Sequence, residues 1–507
     1  MSETAGTNLN NEAGIPKKPE LLAPGGDLSK ALTALKFGAD AVYIGGTAFG
    51  LRAAAGNFSD TDIDALLAFA HPLGRKVYVT LNILPRTCEL EPMAEYARKL
   101  YEKGIDGVIV ADIGAMLAIR RAVPSLPVHV STQANTLNAE TCRFWASLGA
   151  VRVNLARELS LSEIEEISSA LRDGPDVPAD NVTPPLELEV FVHGAMCMAF
   201  SGRCMLSDYL TGRSSNRGEC AQPCRWNYSL LERGTETGFS TTEHAPGAGF
   251  STVERGTETR SGSVERGVER GTETRSGSGR DPYILSAGIT EEKRPGQVFG
   301  VEETERGTFL FNSKDLCLLP YLPELIRAGA SALKIEGRMK SEYYVAVTVR
   351  AYRIAIDLVY GRMLAGDCDC SAGLTPDELR DLMDEVSSVS HREYSDGFFC
   401  GGRGSQVYGT SSYIRNSVYA GIVEKCDKNH AAPGGNSWHL TVSQRGNFGV
   451  GEVLEFIQPD GPVTSFMLNT MTDSEGQHIV RAPHPCMTVH FDIPFPVAPG
   501  SLIRVRK

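Results

Sequence analysis

No apolar run in this 507-residue sequence is long and charge-free enough to cross a bilayer. The first residues, MSETAGTNLNNEAGIPKKPE, contain no apolar signal core. Residues 1–19 are therefore expected to be a disordered lead into a cytoplasmic protein. An all-over basic surface is also missing: 50 Lys and Arg face 62 Asp and Glu, a formal charge of −12. That excludes a general polyanion binder but leaves room for a local basic pocket. There is no phosphate loop, Rossmann glycine fingerprint, GxSxG elbow or HExxH helix. No serine nucleophile can be nominated. What is present is ordinary for a soluble globular chain, 42% hydrophobic and 22% charged. The length allows roughly two to four domains. Twelve cysteines without a secretory signal point to reduced thiols or metal ligands rather than disulfides.

From residue 20 one pattern repeats: a short β-branched run, a polar or glycine turn, then an amphipathic stretch. The strand candidates are 21–25, 41–45, 76–81, 107–111, 128–132, 151–155, 186–192 and 332–335. Segments between them, such as EPMAEYARKLYEKG and LSEIEEISSALRD, place apolar residues at helical spacing and several end in glycine. Eight strand–helix units predict a TIM-like (β/α)8 barrel over residues 20–400, with an open doubly wound sheet as the alternative. From residue 401 to 507 short strands separated by turn residues predict a small all-β barrel or sandwich. Within 230–300, VERGTETRSGS occurs twice. Having almost no large apolar residues, that tract is expected to be a disordered insertion without a chemical role.

A barrel carries its catalytic groups where strands end. Asp27, Asn82, Asp112, Gln133, Asn135, Arg157, His193, Glu336 and Arg338 fall at such positions. Helix capping accounts equally well for Asp27 and Asn82. Gln133, His193, Glu336 and Arg338 are poorer caps and are the catalytic candidates. After the seventh strand comes HGAMCMAFSGRCMLSDYLTGRSSNRGECAQPCRW. Its cysteines, Cys197, Cys204, Cys220 and Cys224, have the spacing C-x6-C-x15-C-x3-C. Four thiolates can hold a 4Fe-4S cluster, or, as a second choice, zinc, whose structural sites prefer two close pairs. Four unliganded buried thiols are the plain alternative, but interleaved glycines and arginines make poor core. Cys317 is a spare ligand candidate. Arg203, Arg213, Arg217 and Arg225, with Lys334 and Arg338 later, suggest a pocket for an anion or an RNA backbone.

LLAPGGDLSKALTALKFGADAVYIGG, STQANTLN, EVFVHGAMCMAFSGRCMLSDYLTGRSSNRGECAQPCRW, FNSKDL and ALKIEGRMKSEYYVAVTVRAYRIAID resemble the peptidase U32 family over most of residues 20–400. The C-terminal β region is similar to the accessory domain of the family's longer members. The resemblance implies an iron–sulfur enzyme for prephenate-dependent 5-hydroxylation of the tRNA wobble uridine. Its cluster ligands map to Cys197, Cys204 and Cys220, with Cys224 carried over as the fourth. The expected partner is tRNA, with no membrane and no DNA, and prephenate as co-substrate. Collagenase-like proteolysis and a non-enzymatic RNA-binding accessory are the alternatives. The oligomeric state stays open.

Overall fold

The computed structural model describes residues 16–50, 57–173, 186–197, 199–226, 228–231, 287–291, 294–301, 313–366, 373–401, 413–429 and 437–507. It divides into one unit of 1–225 with 311–507 and another of 226–310. The first unit opens with β1 (Glu20–Gly25), α1 (Leu28–Lys36), β2 (Ala41–Gly45), α2 (Asp60–Ala70), β3 (Lys76–Leu81) and α3 (Leu90–Lys103). It continues with β4 (Gly107–Val110), α4 (Ile113–Ala122), β5 (Val128–Val130), α5 (Ala139–Ser147), β6 (Ala150–Asn154), α6 (Leu161–Asp173), β7 (Glu187–Ala195) and α7 (Leu206–Thr211). The second unit holds β8 (Tyr228–Leu231), β9 (Ala287–Glu291) and β10 (Arg294–Val301). The first resumes with β11 (Asp315–Cys317), α8 (Leu322–Arg327), β12 (Ala332–Ile335), α9 (Glu342–Leu364), α10 (Pro376–Val386) and β13 (Tyr394–Ser395).

Strands β1 to β7 pair in parallel and in sequence order, and β12 pairs with both β7 and β1, closing an eight-stranded barrel. The open-sheet alternative is thereby excluded. Strand β11 adds to β7 from outside in the antiparallel sense. Helix starts are written locally. Asp27 accepts from the Lys30 amide at 2.9 Å and Asp112 from Ala115 at 2.9 Å, so both are caps rather than reactive groups. Ser59 with Asp62, and Thr375 with Glu378, form capping boxes at α2 and α10.

Strands β8, β9 and β10 flank the repeat tract, forming an antiparallel sheet from residues 228–231 on one side and 287–301 on the other. The β-branched and aromatic residues of YSLL, AGITE and RPGQVFGV supply strand character that the repeats lack. The repeats themselves, and residues 1–15 of the lead, lie outside the described residues.

Toward the carboxyl end come β14 (Ser417–Asn429), β15 (Ser437–Gln444), β16 (Phe448–Gly449), β17 (Val453–Ile457) and β18 (Thr464–Met467). They are followed by β19 (Met471–Thr472), β20 (His478–Ile479), β21 (Arg481–Ala482), β22 (Thr488–Ile493) and β23 (Leu502–Arg506). Eight of these strands make one antiparallel sheet, ordered β18-β17-β23-β14-β15-β22-β19-β20. Its core, including Val442, Phe448, Phe456 and Phe491, is separate from that of the barrel. Fully buried Arg504 joins Glu385 of α10 (2.7 Å) to Glu455 of β17 (2.6 Å), and Tyr343 of α9 stacks on Tyr419. The β region is thus bonded to the barrel's last two helices.

The barrel interior is partly ionic. In the amino-terminal half of the strands Arg152 contacts Glu20 (2.6 Å) and Glu187 (2.5 Å), and Lys334 contacts Glu189 (2.8 Å). Tyr78 and His129 pack edge-on beside them, and Lys334 Nζ lies over the Tyr43 ring. Lys334 therefore belongs to the barrel's interior, not to an anion pocket as its sequence position suggested.

Candidate active site at the barrel mouth

Arg338, just past β12, is buried, and its Nη1 lies 3.4 Å from Thr80 Oγ1 on β3. To reach across, it passes the ends of β1 and β2. A Cβ at Gly26 would collide with the Arg338 carbonyl, and one at Gly45 with its guanidinium. Gly26 of PGGD and Gly45 of IGGT thus leave space for this arginine, while Gly46 makes room for the Tyr96 hydroxyl. On the other side, Asn82 Nδ2 donates to Gln133 Oε1 at 3.4 Å. Glu336, half-buried, accepts the Tyr344 hydroxyl at its carbonyl (2.9 Å). Arg157 lies over the Phe191 ring and donates to the Ala195 carbonyl at 3.2 Å.

His193, a catalytic candidate, sits in a closed aromatic shell at the end of β7. Only 1% exposed, it is enclosed by Tyr344, Tyr352 and Tyr394. Burial holds its imidazole down to about 3 despite the opposing pull of Asp315. Held so, it is neutral at physiological pH. The role left to it is positioning: Tyr352 lies 3.4 Å from Nδ1 and donates to the Val192 carbonyl at 2.8 Å. Cys317 belongs to the same shell, 3.8 Å from Tyr352 Oη. Burial pushes its thiol up to about 11, and its sulfur also lies 3.9 Å from Met383 Sδ, so Cys317 is packed within the protein.

The cysteine-bearing segment is strapped to the mouth at several strand ends. Asn135 Nδ2 donates to the Phe200 carbonyl (3.0 Å), and Arg203 Nε to the Gln133 carbonyl (2.6 Å). Glu158 accepts from the Ser201 amide (2.6 Å), while Arg217 forks onto Glu89 at 2.6 and 3.2 Å. Buried Ser207 receives the Ala221 amide (2.9 Å) and donates to the Arg213 carbonyl (2.7 Å), closing the segment on itself. Glu89, Glu158 and Ser207 were not singled out from sequence. Glu158, one residue past Arg157 at a strand end, carried the only local signal.

Within the strap the thiols share one backbone motif. Sγ of Cys197, Cys204 and Cys220 each accepts the amide two residues on, from Ala199 (3.5 Å), Leu206 (3.3 Å) and Gln222 (3.4 Å). Gln222 takes a left-handed conformation (φ 56°), as does Ser201 (φ 44°), backbone cost of the kind found at ligand sites. Burial raises the Cys204 thiol, and the neighbouring Cys197 and Cys220 raise it further, while the Leu206 amide opposes them. No described cysteine is in a disulfide. Among the described residues no three His, Cys, Asp or Glu are gathered closely enough to hold a metal ion. The donor set thus fits a thiolate-bound group by chemistry, through amide-supported soft ligands, but is not drawn together.

Fold and site define a TIM-barrel protein whose carboxyl-end mouth is crossed by a thiol-rich strap. The family model for Peptidase family U32 matches residues 26–408, and that for the Peptidase family U32 C-terminal domain matches 415–504. The chain belongs to peptidase family U32. It is 34% identical over 482 residues to tRNA hydroxylation protein P of Escherichia coli, covering 94% of each chain. It is 30% identical to tRNA hydroxylation protein P1 of Bacillus subtilis, covering 100% of this chain and 99% of the relative. To a collagenase of Porphyromonas gingivalis it is 27% identical, covering 79% of each.

Proposed function

We propose that this chain is an iron–sulfur enzyme that hydroxylates C5 of the wobble uridine in tRNA, with prephenate as co-substrate. One observation carries the reading: three thiols with amide-supported sulfurs sit on a strap bonded across the barrel mouth. The two relatives named for tRNA hydroxylation, similar over nearly the whole chain, support RNA as the substrate. Cys197, Cys204, Cys220 and Cys224 would hold a 4Fe-4S cluster. Bound there, the cluster supplies one-electron chemistry that side chains lack. Zinc is the second choice, and a four-thiolate zinc would be closed and structural.

This chain's own residues bind and orient. Arg157 and Arg338 would supply guanidinium forks for the two carboxylates of prephenate. Gln133 and Asn82 offer amide donors and acceptors to a base edge. The His193 tyrosine shell keeps the floor of the site dry. A peptidase reading needs an activated nucleophile beside a base. The closest ring-nitrogen neighbours of His193 are tyrosine hydroxyls, not serine or cysteine.

The test is nucleoside mass spectrometry of tRNA from a deletion strain. The hydroxylated wobble uridine and its derivatives are expected to vanish and to return with the wild-type chain but not with Cys204→Ala. An unchanged nucleoside profile on deletion removes the proposal. Anaerobic purification gives a second readout: brown protein with iron and sulfide is expected, and colourless protein with stoichiometric zinc contradicts it.

A further inference from the structure

Large apolar side chains at the surface of this chain are mostly scattered, but the strap concentrates them. Tyr209 is 85% exposed and Met205 72%, and Phe200 is also exposed, all within ten residues around Cys204. Met205 and Tyr209 are one helical turn apart, joined by the Tyr209 amide to the Met205 carbonyl at 2.9 Å, so they share one face of α7. Phe200 stands on a tight turn closed by the Arg203 amide (3.0 Å). Exposing these groups has a solvation cost, and the strap does not fold them inward although its Ser207 is fully buried. Interleaved with them are exposed Arg203 and Arg213. Arg217 is neutralised by Glu89, whereas no carboxylate pairs with Arg203 or Arg213 among the described residues. On a chain of formal charge −12, this combination of aromatic face and unneutralised guanidinium is local.

We infer that the outer face of the strap is a stacking platform for unpaired RNA bases: Tyr209, with Met205 and Phe200, stacks one or two nucleobases, and Arg203 and Arg213 hold the adjoining phosphates. The inference rests on the RNA reading above and deepens it by naming the surface that selects a single-stranded loop. Aromatic side chains stack any unpaired base, whereas a duplex hides its base faces. Charge complementarity favours RNA over an apolar protein partner at this patch, because an apolar partner would bury two guanidinium charges that no carboxylate neutralises among the described residues.

The experiment measures binding of the full-length chain to two RNAs by fluorescence anisotropy: an unmodified anticodon stem-loop, and a fully paired hairpin of equal length and charge. Tyr209→Ala is expected to weaken stem-loop binding about tenfold and leave the hairpin unchanged, with Tyr209→Trp restoring it. Arg213→Ala is expected to weaken both RNAs and lower the salt slope by about one. A side chain this exposed can be removed without unfolding the protein, and an unchanged melting temperature verifies that. Wild-type affinity in Tyr209→Ala, or an equal loss on the hairpin, overturns the platform and leaves the hydroxylation reading standing. Lost modification in cells with all RNA affinities intact assigns the patch to a protein partner and also overturns it. The nucleoside assay with the wild-type chain fails separately if the hydroxylation reading is wrong.

Discussion

The two ends of the barrel use similar residues to opposite ends. In the amino-terminal half, buried Arg152, Glu189 and Lys334 are paired with one another and with the partly exposed Glu20 and Glu187 at the rim. Burial raises the Glu20 carboxyl, but Arg152 outweighs it and holds the group below the usual carboxylate range. At the mouth several groups are held by the main chain instead: Arg203 by the Gln133 carbonyl, Arg157 by that of Ala195, three sulfurs by amides, although Arg217 is pinned by the Glu89 side chain. A buried charge whose partner is another side chain is structural. A polar side chain fastened through the main chain keeps its own chemistry for a ligand.

That contrast can be broken most sharply at Cys204. Cys204→Ser is expected to abolish iron binding and tRNA modification while the melting temperature stays within a few degrees. Metal analysis, nucleoside mass spectrometry and circular dichroism check this, and a collapse of the fold would erase the distinction between the two ends. The converse change, Arg152→Met, should cost about 3 kcal/mol in urea unfolding, because it takes the buried cation from between Glu20, Glu187 and Glu189 and leaves Glu20 only the exposed Lys76 at 3.2 Å.

The third prediction concerns protons. His193 is held at about 3 when folded, and His129 is also lowered by burial, both against an ordinary value of about 6.5. Between those values the unfolded chain binds protons that the folded chain refuses. Stability is therefore full above pH 6.5 and falls as the pH drops, by at most about 1.4 kcal/mol per unit for each histidine. His193→Phe should flatten the dependence of melting temperature on pH between 6.5 and 5, where most carboxylates stay ionised. An unaltered slope would place the effect elsewhere. The smallest effect is expected from Glu89→Gln. This half-exposed pin should contribute under about 1 kcal/mol, visible as faster amide exchange in residues 199–226 rather than as a shift in melting.

All eight barrel strands were legible, and capping was one of two readings open for Asp27, because alternation, helical spacing and capping are written within a few residues; the cap at Asp112 came from the structure. So was the cysteine segment. The partners were not. Glu20 and Arg152 are 132 residues apart, and Arg217 and Glu89 are 128 apart, so no local pattern announces either pair. Arg338 showed itself only as a strand-end arginine; that Gly26 and Gly45 are small on its account needs the closed barrel. Nothing near His193 in sequence reveals Tyr344, Tyr352 and Tyr394 closing over it.

Local patterning alone settles the order of strands and helices, the appended antiparallel strands and the presence of four thiols in one short stretch. Which of the charged and titratable groups are sealed inside, and which are left at the open end, is decided by barrel closure. Closing β12 onto β1 brings distant strands into one interior, and burial there sets whether a side chain must spend its charge on a neighbour or keep it for a ligand.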